Sequence, residues 1–186
     1  MKSWEILEGA CYHCKKCRLW ETRTNVVIGD GNRNADIMFI GEGPGQQEDL
    51  QGLPFVGPAG QLLDKMLAAI GLDRSRVYIA NIVKCRPPGN RDPHEDEQEA
   101  CLNYLRYQLM LVKPKIIVCL GRIAGCAIID KDFRITREHG QWIERKGYWI
   151  TATYHPSALL RDESKKRPAW EDFKLIKAKL EEIEER

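Results

Sequence analysis

Four short apolar runs, at residues 37–40, 77–83, 115–120 and 148–153, constrain this chain more than any other feature of its sequence. Each is too short for a buried helix and is closed by glycine or polar residues, so each reads as a strand. Helical patterns separate them. Leu62, Leu63, Met66, Leu67 and Ile70 form one stripe, with Gly71 placed as its C-cap. Asp92-Pro93-His94-Glu95 has the form of a helix start, with Asp at the N-cap, Pro at N1 and Glu at N3. That helix is expected to end near Val112, because Pro114 disrupts its continuation. A short helix is expected around residues 123–129. Residues 133–136, 141–145 and 148–153 suggest a small hairpin feeding the last strand, turned at Lys146-Gly147, and Trp170, Phe173, Ile176, Leu180 and Ile183 mark a terminal amphipathic helix. Strands alternating with helices predict an α/β fold: three layers, α/β/α, around a central, mostly parallel four-stranded sheet. No repeat or linker interrupts the 186 residues, which are expected to form one domain, 1–186.

Charge narrows the function. The 29 Lys+Arg and 27 Asp+Glu leave a formal net charge of +2, which excludes a histone-like coat for polyanions and leaves local clusters to do any binding of nucleic acid. Apolar runs such as Ile116-Ile117-Val118-Cys119-Leu120 fall far short of the roughly 20 residues a membrane span needs. Met1-Lys2-Ser3-Trp4-Glu5 leads into no apolar segment of the secretory kind. A soluble, cytoplasmic location without a membrane partner is expected.

Seven cysteines are many for such a chain, and an odd number does not complete a disulfide framework. Cys11, Cys14 and Cys17 form Cys-x2-Cys-x2-Cys, a spacing that brings thiolates to one metal centre within a turn. A bacterial ferredoxin run would continue to a Cys-Pro, but Arg18-Leu19-Trp20 follows here. Cys119 and Cys126 lie in apolar segments and read as core thiols. Cys85, at a strand end, and Cys101, on the helical stripe of Leu105 and Leu109, are able to converge on one site. Spacing alone leaves open which four would bind.

Open parallel sheets carry their sites at the carboxyl ends of their strands. Those ends are Gly41-Glu42-Gly43-Pro44-Gly45, then the stretch from Asn81 to Cys85, then Gly121, then His155-Pro156-Ser157. The first is no dinucleotide fingerprint, since Gln46 stands where the third glycine belongs. It suits close approach of backbone to a flat ligand instead. Phe55, between Pro54 and Gly57, is either a core plug or a platform on which a base stacks. The Asn81 amide offers a donor and an acceptor suited to a pyrimidine edge, or else caps a loop. His155, fixed by Pro156, is able to donate to a developing oxyanion. Leu159-Leu160 beside Arg161 reads as a wedge for a duplex. The basic stretch from Arg161 to Arg167 is a phosphate surface or simply a solvated face.

In this order, Cys14-x2-Cys17, Gly41-Glu42-Gly43-Pro44-Gly45, Leu53-Pro54-Phe55-Val56-Gly57, Asn81, Cys85, Cys101 and His155-Pro156-Ser157 resemble the uracil-DNA glycosylase superfamily, specifically the family 4 enzymes of bacteria and archaea. The resemblance implies a [4Fe–4S] cluster on Cys14, Cys17, Cys85 and Cys101, structural in role and tying the N-terminal cysteine segment to the domain. Cys11 is left over as a nonligand. It further implies a monofunctional glycosylase of base excision repair, associated with thermophiles, acting on uracil in double- and single-stranded DNA. Phe55 would stack on the flipped base, Asn81 would read its O4 and N3 edge, and His155 would stabilise the departing uracil anion. Backbone of Glu42 and Gly43 would line the pocket, and Ser157, Leu159 and Arg161 would meet the DNA.

Gly43 stands where better-known relatives carry a water-positioning Asp, and Gly45 where they carry a Tyr that excludes thymine. Glu42 or Glu48 is therefore expected to orient the water or stabilise the oxocarbenium, and Glu48 to gate against the methyl group. No lysine lies in a motif for an amine nucleophile, so strand cleavage is not expected. A monomer is the default, and a sliding clamp stands as a candidate partner on which the sequence is silent. Two other classes compete: a noncatalytic iron–sulfur DNA-binding module of the same fold, and a metal or redox protein unrelated to DNA. The second gives the Phe55 and His155 loops no role.

Overall fold

The computed structural model describes residues 3–186; Met1 and Lys2, where the N-terminal reading begins, lie outside them. Helix α1 (Trp4–Tyr12) is capped by the Ser3 side chain, which accepts from the Ile6 N–H. The strands are β1 (Asp30–Gly31), β2 (Ile37–Gly41), β3 (Val77–Asn81), β4 (Ile116–Leu120), β5 (Ile143–Arg145) and β6 (Tyr148–Thr153). The remaining helices are α2 (Gln46–Gln51), α3 (Pro58–Ala69), α4 (Glu95–Val112), α5 (Arg122–Ile128), α6 (Ile135–Glu138), α7 (Pro156–Arg161) and α8 (Lys166–Glu184).

The sheet order is β1-β3-β2-β4-β6-β5. The four central strands run parallel, as the alternating pattern predicts, and one short antiparallel strand is added at each edge. The sheet is thus six-stranded and mixed around the expected four. β1 has only two residues, with Gly31 at φ 111°, too little apolar sequence to register as a strand. Hairpin β5–β6 turns at Lys146-Gly147 as expected, with both residues at positive φ.

Every residue of β2, β3 and β4 is buried, which is why these runs are continuously apolar rather than alternating. Alternate side chains go to opposite faces. Met38, Ile40, Tyr78, Ala80, Ile117 and Cys119 pack with residues of α1, α4 and α5, whereas Ile37, Phe39, Val77, Ile79, Ile116 and Val118 pack with residues of α3 and α8. This is the three-layer arrangement. Among the described residues, no helix is long and apolar enough to cross a membrane.

Two local expectations are corrected. Helix α4 begins at Glu95 with His94 as N-cap, because the Glu97 carboxylate folds back to accept the His94 N–H at 2.8 Å, while Asp92 is drawn off to Arg122 at 2.8 Å. Residues 133–136 form no strand. Phe133 turns into the core against Gly125, where a Cβ would overlap its ring, and Ile135 opens α6. Phe133→Ala is accordingly expected to cost about 3–5 kcal/mol of unfolding free energy. Chemical denaturation measures this, and a loss below about 1 kcal/mol would place the ring outside the core.

Candidate active site

Parallel pairing brings four strand ends together: Gly41 lies opposite Asn81 in the β2–β3 ladder, and Leu120 opposite Thr153 in the β4–β6 ladder. The loops that follow enclose a cleft of about 520 Å³ lined by Glu42, Gly43, Glu48, Phe55, Asn81, His155, Ser157 and Arg161 among others. Of the predicted cleft residues, only Leu159 is missing. It is 1% exposed and packs with Tyr154 and Ala169, while Leu160 is 49% exposed. Successive residues of one helical turn point about 100° apart, so α7 cannot present both leucines to a partner, and Leu160 alone faces outward.

The Phe55 and His155 rings stack at 5.5 Å between centroids with planes 29° apart. Phe55 is held in the left-handed region at φ 53°, a conformation that costs an ordinary side chain energy and persists only where its surroundings enforce it. Here Arg74 does so. Its guanidinium donates to Pro54 O at 2.8 Å and to Phe55 O, and is itself braced by Asp64 at 2.9 Å and Asp30 at 3.3 Å. Gly60 makes room, since a Cβ there would overlap the Phe55 carbonyl. Glu48 closes the loop from the other side, accepting the Val56 and Gly57 N–H groups at 3.0 Å each.

His155 sits half-buried at the N-cap of α7. Its Nδ1 accepts the Ser157 N–H at 3.1 Å and lies 2.7 Å from Ser157 Oγ. A backbone amide only donates, so Nδ1 is the unprotonated nitrogen and a neutral ring carries its proton on Nε2. Burial, reinforced by Arg161 and opposed by Glu48, pulls the imidazole down to about 4, which keeps it neutral at physiological pH. Burial and neighbouring Asp92 hold the Glu42 carboxyl above the usual carboxylate range, against the pull of Arg122 and Arg161. Asp49, the remaining acid of this segment, serves structure: its carboxylate accepts the N–H groups of Thr24 at 2.8 Å and Asn25 at 3.2 Å.

Asn81 carries the most informative single atom. It is 2% exposed, and its Oδ1 has no hydrogen-bond partner among the described residues. Leaving a buried acceptor unpaired costs about 1–3 kcal/mol, so the orphan points to a donor supplied by a ligand. A Cβ on Gly41 would lie 2.5 Å from this oxygen and 2.6 Å from the Phe55 ring, so only glycine lets the amide and the ring pack this close to the end of β2.

Sequence reasoning missed Pro87, Asn90 and Arg91, which line the same cleft. Arg91 is braced by a two-pronged ion pair to buried Glu97, at 2.9 and 2.7 Å. The signal was present in Arg86-Pro87-Pro88-Gly89-Asn90-Arg91, a polar turn after a strand's carboxyl end.

A second pocket holds cysteines. Cys11, Cys14, Cys17, Cys85 and Cys101 line it with Arg23, Lys84 and Tyr104. The leftover Cys11 therefore shares the pocket with the four expected ligands and is 1% exposed. Arg23 donates to Cys85 Sγ at 3.3 Å, and the Lys84 N–H to Cys101 Sγ at 3.3 Å. Burial pushes the Cys101 thiol up to about 11, against the pull of the Lys84 charge and its N–H. Among the described residues, no three side chains converge as one metal ion requires. Cys119 is buried in β4, and Cys126 Sγ lies 3.6 Å from Phe133 O, both away from this pocket.

A model of the uracil DNA glycosylase superfamily matches residues 28–174. The type-4 uracil-DNA glycosylase of Sulfurisphaera tokodaii is 47% identical over 186 residues, covering 95% of this chain and 84% of that protein. Its counterpart in Archaeoglobus fulgidus is 47% identical, with 95% and 92% covered, and that of Thermotoga maritima 44% identical, with 94% and 93% covered. A chain with this sheet, this cleft and this extent of similarity belongs to the uracil DNA glycosylase superfamily, among its type-4 members.

Proposed function

We propose that the chain excises uracil from DNA, hydrolysing the N-glycosidic bond and leaving an abasic site. The orphaned Asn81 Oδ1 carries this reading. It is an acceptor buried beside a stacked Phe55–His155 pair, in a cleft of a size for a nucleobase. Uracil presents a protonated N3 to such an acceptor and its O4 to the amide's N–H. Cytosine presents an unprotonated N3 and an amino group, and is repelled at both.

A base reaches this cleft only after leaving the helical stack, an easier extrusion for a mispaired uracil than for a base in a normal pair. Phe55 stacks on the extruded ring. Rupture of the bond leaves negative charge on uracil and positive charge on the sugar. The Nε2–H of neutral His155 donates to O2 as that charge grows, and Ser157 and Pro156 keep the ring aimed without rearrangement. Glu42 lies in the cleft with a raised affinity for protons, which suits orienting the attacking water and taking up its proton. Glu48, already anchoring the Phe55 loop, gates against the methyl group of thymine. Arg161 and Arg91 on the cleft wall meet the DNA backbone, in single or double strands. No lysine lines the cleft among the described residues, so strand cleavage through an amine adduct has no nucleophile.

The cysteine pocket is read as the seat of a [4Fe–4S] cluster on Cys14, Cys17, Cys85 and Cys101. An all-thiol donor set with N–H groups already directed at two sulfurs supports this. When bound, the cluster supplies iron–thiolate bonds that cross-link the segment after α1, the β3–α4 connection and α4. The protein acts as a single cytoplasmic domain and a monomer.

An end-labelled oligonucleotide with one uracil is expected to break only after incubation with the protein and then hot alkali. A thymine control stays intact, and His155→Ala lowers kcat by about 10²–10³-fold. Absence of breakage by a folded, iron-loaded sample would turn the reading toward a DNA-binding module. Purified protein is expected to be brown, absorbing at about 400 nm. Serine at any of the four assigned cysteines should lower iron per chain, while Cys11→Ser and Cys119→Ser leave it intact; iron loss in Cys11→Ser would redraw the ligand set. His155 also fixes a pH dependence. An unfolded imidazole titrates at about 6.5, whereas the buried ring does so at about 4. The unfolded state therefore binds more protons in that window, and stability falls as pH drops through it. The fall in Tm on acidification is expected to be smaller in His155→Ala; equal falls would mean the ring is not held neutral.

A further inference from the structure

We propose that Lys84 is a positioning residue, a buried strut that joins the cysteine pocket to Asn81 and sets the main chain from which the amide reaches the cleft. Lysine is almost never fully buried unless its ammonium is paired, because removing that group from water is costly. Lys84 is 2% exposed. Among the described residues its Nζ meets no carboxylate. It donates to two neutral oxygens, Asn81 O at 2.7 Å and Gln108 Oε1 at 2.6 Å. Gln108 is in turn fixed by its own amide, which donates to Ile28 O at 2.8 Å and to Tyr78 Oη at 3.1 Å. The ammonium is thus seated on a rigid acceptor and presses on the last carbonyl of β3.

The other end of the residue faces the thiols. The Lys84 N–H donates to Cys101 Sγ, Cys85 follows it in sequence, and the residue lines the cysteine pocket. Methionine would fill the same space at less cost. What lysine adds is the donor on the Asn81 carbonyl, and through it a short path from the thiols to the one unpaired acceptor in the cleft. The path gives a cluster with no redox step a bearing on base recognition. The inference rests on the reading of Asn81 as the residue that contacts the base.

The test compares iron-loaded full-length protein with Lys84→Met, Asn81→Ala and the double variant, measuring iron per chain, kcat and KM on a uracil oligonucleotide. Lys84→Met is expected to keep its iron, to lose about 10-fold or more in kcat, and to change KM by less than about twofold. In the Asn81→Ala background the same substitution should cost less than about twofold further, because it acts through Asn81. A structural role would not show that dependence. Unchanged kcat in iron-loaded Lys84→Met, or an undiminished loss in the Asn81→Ala background, overturns the proposal. If Lys84→Met fails to fold or to hold iron, Gln108→Met removes the ammonium's seat from the far side. It should reproduce the kcat loss and its dependence on Asn81, and wild-type kcat there overturns the strut. Full activity in Asn81→Ala alone would instead remove the base-reading role beneath it.

Discussion

Parallel pairing of β2 with β3 is the constraint from which the cleft is built. It sets Gly41 beside Asn81, and the hydrogen bonds continue past the strands, from the Ile82 N–H to Gly41 O at 2.9 Å and from the Val83 N–H to Glu42 O at 3.0 Å. Two loops are thereby zipped together before either diverges. A slip of one residue would turn Asn81 to the opposite face and replace it with an alanine or an isoleucine. Complete burial of both strands makes such a slip prohibitive, so the core secures the position of one polar side chain.

Around that fixed point the cleft is assembled from pieces that are individually unfavourable. Phe55 adopts a backbone conformation that most residues avoid, Asn81 keeps an acceptor unpaired, and half-buried His155 has, among the described residues, only Ser157 to satisfy its Nδ1. Each is held by rigid partners on neighbouring elements: Arg74 and Glu48 for the first, the ladder and Lys84 for the second, the α7 cap for the third. Strain and unpaired groups collected at one place, with stable structure on all sides, are characteristic of a surface prepared for a ligand.

The sequence made the parallel core legible because its strands are uninterrupted apolar runs and its helices carry regular stripes. It did not show β1, whose pairing depends on a glycine conformation rather than on side chains. It also misassigned residues 133–136, where Phe133 is apolar for tertiary packing and not for a strand. In the cleft, Phe55, Asn81 and His155 were readable from loops of unusual composition near strand ends, whereas Glu42 and Glu48 came into view as acids only through the family resemblance and its departures at Gly43 and Gly45. Arg74, Lys84 and Arg91 were not, since an arginine or lysine seen in isolation is taken as solvated until its partners are known. Leu159 and Leu160 look equivalent in sequence, and only the orientation of α7 separates the buried one from the exposed one.

Gly41 has a consequence for how selectivity can change. Asn81 Oδ1 and the Phe55 ring pack so closely on Gly41 that a Cβ there would overlap both. Any other residue would push the amide or the ring aside, so this position has only one setting. Variation in which base is admitted must therefore arise at the walls and rim, at Glu48, Pro87, Asn90 and their neighbours. There, side chains of different length alter the opening without disturbing the register beneath. Loops on this plan can change while the residue packed under the amide and the ring stays the smallest available.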